Sequence, residues 1–324
     1  MGGARFYKYR NTLYGFNGFL GHCTGYYDGN GDFVEDRDTG TPQYPCFDTR
    51  ILDDEKENTG QSFKVNLSYT IDDDKMVYAT FSQGFRPGGV NRARVPGIPS
   101  YEEDFVDNYE IGWKTTWMDN RLRFNGAVYY VEWSDVQLGV LDFAVSNLTI
   151  IRNAGNSRTY GAEFDLVFAA TENLTLSMSG SYNDAKLTTA YENRYEDDGD
   201  TVIETIAPAG TRMPFVPEFQ FTAIARYEAE VGNLPGFLQA AYSYTGYSWN
   251  NLDISLREKQ HAYGLLNLSA GVSGDNWTFS VFADNVTDTR AEIAKYYPGY
   301  PSELDTTTST NRPRTIGARF GQKF

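Results

Sequence analysis

The sequence predicts an all-β fold, an antiparallel transmembrane β-barrel wall, and three observations carry that prediction. Twelve stretches read as strands, the joints between them alternate strictly between long and short, and apolar and polar residues alternate along the strands with a period of two. Short joints fall at 72–74, 118–120, 170–172, 232–235 and 274–275; long ones fall at 11–60, 87–103, 141–150, 189–213, 250–260 and 288–311. A meander in water can close with tight turns at both ends. Short turns on one rim and long loops on the other match a membrane barrel, with its short periplasmic turns and longer extracellular loops.

Taken in order, the strands sort their side chains onto two faces, because residues i and i+2 of a strand point the same way. Arg5 to Arg10 opens the series as a strand-like segment. Phe63, Val65, Leu67, Tyr69 and Ile71 then share one register, against Lys64, Asn66, Ser68 and Thr70. Tyr109, Ile111, Trp113 and Trp117 oppose Glu110, Gly112, Lys114 and Thr116, and Leu122, Phe124, Val128 and Tyr130 oppose Arg123, Asn125 and Ala127. Ala162, Phe164, Leu166 and Phe168 oppose Glu163 and Asp165; Leu174, Leu176 and Met178 oppose Thr175, Ser177 and Ser179. Further on, Phe219, Phe221, Ala223 and Tyr227 oppose Gln220, Thr222 and Arg226. Leu266, Leu268 and Val272 oppose Asn267 and Ser269, and Trp277, Phe279 and Val281 oppose Thr278, Ser280 and Asp284.

Every charge in these central segments falls on the polar register, and several apolar registers run about nine residues or more, the length a tilted strand needs to cross a bilayer. A charge facing lipid at mid-depth would cost roughly 2–4 kcal/mol, which accounts for the segregation. A soluble sandwich also alternates, but with strands of about 5–6 residues. Tyr129, Tyr130 and Trp133, and Tyr242, Tyr244, Tyr247 and Trp249, crowd strand ends as interfacial aromatic belts do.

The 324 residues include 24 Tyr and 21 Phe, yet mean hydropathy is −0.50, as befits a sheet with one apolar and one wet face. Lys and Arg number 28 against 43 Asp and Glu, so nucleic acid is excluded as a partner for want of a basic face. Cys23 and Cys46 both lie in the first long loop. Their even count, close spacing and Gly- and Asp-rich surroundings favour a disulfide in an oxidising compartment over two buried thiols. Met1 to Ala4 leads straight into Arg5, so the expectation is that export information has been removed or that the chain is the back part of a longer protein.

No enzymatic constellation is expected. The two histidines are His22 and His261, and neither zinc-ligand spacing nor a nucleophile elbow occurs. Asp28 to Asp32 opens like a calcium loop, but Phe33 occupies the position that demands Gly and Thr39 the position of the terminal Glu. Neither a metal nor a cofactor is therefore expected.

In these motifs the chain resembles the C-terminal part of a TonB-dependent outer-membrane receptor. The resemblance runs from about Ser62 to Phe324. It is carried by Tyr78 to Gly89, with its Arg86-Pro87-Gly88-Gly89 exit, by Tyr109 to Lys114, by Asn153-Ala154-Gly155 with Tyr160 to Glu163, by Asp284 to Asp288, and by Arg312 to Phe320. It implies that residues 1–324 are the C-terminal portion of a 22-stranded barrel, about 12 strands being present, with 11–60 as a long extracellular loop. The plug domain and its energy-coupling box are absent from the chain. Phe320 and Phe324 resemble an assembly signal.

The function implied is capture and import of a scarce nutrient, a ferric siderophore being the first candidate, with energy from the TonB complex acting through the plug. A passive porin-like channel, and in a different class a surface adhesin or glycan-binding protein, are the alternatives. Ligand contacts are expected from Arg86, Arg92, Arg94 and Tyr101 around the second long loop, and from Trp249 and His261 around the fifth. Guanidinium groups pair with carboxylate or catecholate oxygens, and rings stack on aryl groups or sugar. The competing assignment gives these arginines to lipopolysaccharide phosphates or acidic loop residues. Outer-membrane lipid and lipopolysaccharide are expected surroundings.

Overall fold

A computed structural model describes residues 1–15, 26–27, 33–34, 52–91, 100–140, 150–197, 200–296 and 306–323. Twelve strands form one antiparallel sheet in sequence order: β1 (Gly2–Gly15), β2 (Leu52–Asp72), β3 (Lys75–Arg86), β4 (Asp104–Trp117), β5 (Leu122–Ser134), β6 (Ser157–Ala169), β7 (Leu174–Leu187), β8 (Phe219–Val231), β9 (Leu234–Thr245), β10 (Tyr263–Ser273), β11 (Trp277–Asp284) and β12 (Thr315–Gln322). Each strand pairs with the next. β1 and β12 are the two edges, and among the described residues no ladder joins them.

The registers keep the predicted faces intact. Phe81, Tyr109, Tyr130 and Tyr160 stand opposite one another across β3 to β6 on the apolar face, while Lys114, Asn125, Asp165 and Ser179 do so on the polar face. On the apolar face Leu67 is 68% exposed, Leu176 37% and Val281 47%. Phe124 is partly exposed. These side chains pack into no interior, so the wall is a single layer whose apolar face must be covered by lipid.

Glycines let the wall bring rings against backbone. At Gly161 an added Cβ would lie 2.2 Å from the Tyr182 carbonyl oxygen and 2.7 Å from the Tyr129 hydroxyl. At Gly126 it would lie 2.4 Å from the Trp113 ring. Cross-strand aromatic packing over glycine stabilises a sheet that has no second layer.

Two predicted boundaries move. The stretch 11–60 was expected to be loop, but β1 runs to Gly15 and β2 starts at Leu52, with Asn11 opposite Lys56 and Tyr9 opposite Asn58. The outward register there turns polar, where Lys8 pairs with Glu57 and Arg10 with Glu55. Above the hydrocarbon both faces are wet, so the period-two signal disappears although the ladder continues. The third long joint is also wider than 141–150, because β5 ends at Ser134 and β6 begins at Ser157.

The fully buried apolar side chains belong mostly to the long-loop rim. Ala154, Leu187, Tyr191, Ala207 and Leu252 form one small nucleus, flanked by Leu138, Ile206 and Met213. Three different rim segments contribute to it. This nucleus, rather than the wall, is the nearest thing in the described residues to a globular core.

Candidate functional site

The rim segments are fastened to their neighbours in succession. The amide of Gly88 donates to the Tyr9 hydroxyl at 2.8 Å. Asn91 and Ile151 exchange two hydrogen bonds, at 2.8 and 2.7 Å. The side-chain amide of Gln137 donates to the carbonyls of Pro87 and Glu102 at 3.0 and 2.9 Å. Farther round, the Thr188 amide donates to Asn156 O at 2.8 Å, that of Phe215 to Trp249 O at 2.7 Å and that of Ile254 to Ile206 O at 3.1 Å. Gln260 donates to Ile293 O at 2.9 Å. Among the described residues the long-loop rim is thus a collar linked in succession from the second loop to the sixth, on a wall whose polar face carries an open groove of about 530 Å³. Glu163, Asp165, Ser181, Gln220 and Thr222 are among the residues lining that groove.

The collar uses the predicted ligand residues unevenly. Arg86, at the end of β3, donates to both carboxylate oxygens of Asp104 and to Gln137 O, and lies over the Trp133 ring. Asp104 is 1% exposed. The guanidinium therefore neutralises a buried carboxylate, and only its outer part is available to a ligand. Tyr101 pairs with Gly89 through two backbone hydrogen bonds, its ring resting on that glycine. These two residues belong to one knot at the second loop.

Trp249 and His261 belong to another, in the fifth loop, where Ser248–Trp249 pairs with Lys259–Gln260. The His261 ring meets Glu292 at 2.9 Å, and Lys295 meets the same carboxylate at 3.1 Å. The His261 amide, the His261 ring and Lys295 together bring the Glu292 carboxyl down to about 2, the amide being the largest influence. Arg92, Arg94, Cys23, Cys46 and Phe324 lie outside the described residues. Phe320 faces outward opposite Phe279, beside a groove of about 490 Å³ that Trp277 also lines.

Arg257 is the residue that sequence reasoning missed. Its guanidinium carbon sits 4.0 Å from the centre of the Trp249 ring, while Nε and Nη2 are buried without a hydrogen-bond partner. Burial and the neighbouring Arg212 push its pKa down. Lys259 Nζ lies 4.2 Å from the centre of the Tyr247 ring. Two cations thus rest on two rings within one loop, and one of those cations has spare donors. An arginine in a polar loop is unremarkable in sequence, and only its position opposite Trp249 marks it.

The family of TonB dependent receptor-like β-barrels matches residues 2–286. Among solved structures, the ferric yersiniabactin uptake receptor FyuA of Yersinia pestis superposes with a TM-score of 0.65 at 21% identity, over 84% of this chain and 38% of its own. The ferric-catecholate import receptor Fiu of E. coli K12 gives 0.66 at 17% identity, over 100% and 42%. The siderophore receptor PiuA of Acinetobacter baumannii gives 0.63 at 16%, over 82% and 36%. The chain spans about two-fifths of the length of these structures, and the likeness is one of fold. With the family matched along most of its length and a wall whose apolar face lies bare, the chain belongs to the TonB-dependent receptor-like β-barrel family of the bacterial outer membrane.

Proposed function

We propose that this chain forms wall and rim of an active-transport receptor that captures an anionic ferric siderophore and imports it with energy from the TonB system. The observation that carries the reading is Arg257, a rim guanidinium with free donors laid on an indole. Those donors are unpaired but buried, so a carboxylate or catecholate gains charge-assisted hydrogen bonds there once the loop shifts to uncover them, and its ring can extend the stack on Trp249. Family membership and the likeness to FyuA, Fiu and PiuA, receptors for ferric yersiniabactin, ferric catecholates and a siderophore, support the same substrate class. Arg86 and Tyr101 border the same collar and would contribute second. Coupling to the TonB complex runs, in this reading, through a plug domain enclosed by the wall.

The test is calorimetric titration of the detergent-solubilised chain with a trianionic ferric tris-catecholate and, in parallel, with a neutral ferric tris-hydroxamate. The anionic complex is expected to bind more tightly, and Arg257→Gln or Trp249→Ala to weaken it about tenfold. Equal affinity for the neutral complex, or an unchanged Arg257→Gln variant, would end this reading. Ligand-independent conductance would favour a passive channel instead.

A further inference from the structure

The loop that carries Arg257 is closed on itself at its base. Trp249 stands opposite Lys259 in a two-residue ladder. One step further in, the Asn250 amide donates to Glu258 O at 3.1 Å, and Oδ1 of Asn250 accepts the Glu258 amide at 2.6 Å. Asn250 is 7% exposed, so this clasp is screened from water. Arg257 is the residue next to the clasp, and its guanidinium rests on the Trp249 ring just below.

The rest of the loop is held unevenly. Leu252 is buried in the rim nucleus, and the Ile254 amide donates to Ile206 O at 3.1 Å, which fixes the first half to the fourth loop. The Ser255 amide and hydroxyl turn back onto Asp253, at 2.8 and 2.7 Å, and both Ser255 and Leu256 are exposed. Between the anchor at Ile254 and the ladder at Lys259, residues 255–258 therefore form a short strap with the clasp at its inner end. The sixth loop reinforces that end, where the Thr306 hydroxyl donates to the Glu258 carboxylate.

The closed strap carries a cost. Nε and Nη2 of Arg257 are buried without acceptors, and leaving a buried donor of a charged group unpaired costs more than an ordinary hydrogen bond returns. Two such donors work against the two bonds of the clasp and the stack on Trp249, so the closed and open arrangements lie close in free energy. An anion shifts that balance, because it satisfies the donors only in the open arrangement.

We propose that residues 255–258 are a strap that stores Arg257 in a masked state, with Asn250 as the positioning residue that holds it shut until an anionic ligand draws the guanidinium out. The proposal rests on the reading of Arg257 as a ligand contact for what opens the strap, but not for the clasp itself. Selectivity follows from the cost of opening. A complex that presents carboxylate or catecholate oxygens offsets the broken clasp with charge-assisted bonds, and a neutral complex does not.

The test uses the full chain in detergent. Without ligand, modification of Arg257 by phenylglyoxal is followed by peptide mass spectrometry, in parallel with hydrogen exchange of the Glu258 amide. Asn250→Ala is expected to speed both about fivefold, the worth of about one hydrogen bond, and Ser269→Ala, in the wall, to change neither. In the wild type, where no variant can misfold, low urea should uncover the two groups in step. Association of a ferric tris-catecholate, read by tryptophan fluorescence, should level off with concentration at the rate of strap opening, and at a higher level in Asn250→Ala. Modification of Arg257 while the Glu258 amide stays protected, or an Asn250→Ala variant that matches the wild type, would overturn the strap. Association that rises linearly in both proteins would overturn it too. Failure of every form to bind the tris-catecholate would end the substrate reading, while the ligand-free measurements decide the strap on their own.

Discussion

Asp104 stands opposite Arg86 across the β3–β4 ladder and holds its guanidinium while also accepting the Trp133 indole N–H at 2.9 Å and the Gln137 amide at 3.2 Å. One buried carboxylate thereby ties two strands, a third strand's indole and the third loop into the collar. Asp104→Asn leaves Arg86 without its counter-charge and replaces one of the two acceptor oxygens by a donor. Breaking a buried pair costs about 3–5 kcal/mol, but Arg86 is half exposed, so about 2 kcal/mol is expected. Urea unfolding in detergent should show that loss, with faster proteolysis in the collar, and an unaltered midpoint would refute the keystone role.

The two faces of the wall make opposite predictions for one kind of substitution. Val281→Arg places a guanidinium on the lipid side and should cost roughly 2–4 kcal/mol at mid-depth. Ser280→Arg, one residue earlier, turns toward the polar face, where it stands opposite Arg319, and should cost no more than about 1 kcal/mol. Folding yield into phospholipid vesicles distinguishes the pair. Equal yields would contradict the assigned register.

Gly161 is a steric prediction. A valine there would drive its Cβ into the Tyr182 carbonyl and the Tyr129 ring, backbone on one side and a packed ring on the other. A destabilisation of about 1–3 kcal/mol is expected from such overpacking, read as a lower unfolding midpoint. Gly3→Val, where a Cβ meets nothing within 4 Å, serves as the tolerant comparison.

The loop latch at Glu292 should respond to acid. Its carboxyl is lowered from the ordinary 4.5 to about 2, so its stabilising effect is full above about 4.5 and is lost as pH falls through about 2. Hydrogen exchange at the His261 amide, which donates to Glu292 at 2.9 Å, should therefore lose protection, relative to neighbouring amides, between pH 4.5 and 2. In Glu292→Gln that acid-dependent step should vanish. Persistence of the step in the variant would assign it to another group.

Much of the wall was legible without coordinates. The alternation of Phe63 through Ile71 against Lys64 through Thr70 is a local consequence of strand geometry, and lipid enforces it by penalising any charge on the outer register. The same signal fails above the membrane, which is why β1 and β2 continue past the expected loop boundary at Lys8–Glu57 and Arg10–Glu55.

The rim obeyed no such period. Arg86 reaches Gln137 across 51 residues, Gly88 reaches Tyr9 across 79, and Arg257 finds Trp249 because a two-residue ladder folds their loop back on itself. Sequence alone determined which residues of the wall face lipid and where its short turns fall, since alternation reports neighbours two positions away. Only the tertiary structure decided which arginines are already neutralised and which still have donors to offer. Pairing among loops depends on distances between segments that are far apart along the chain.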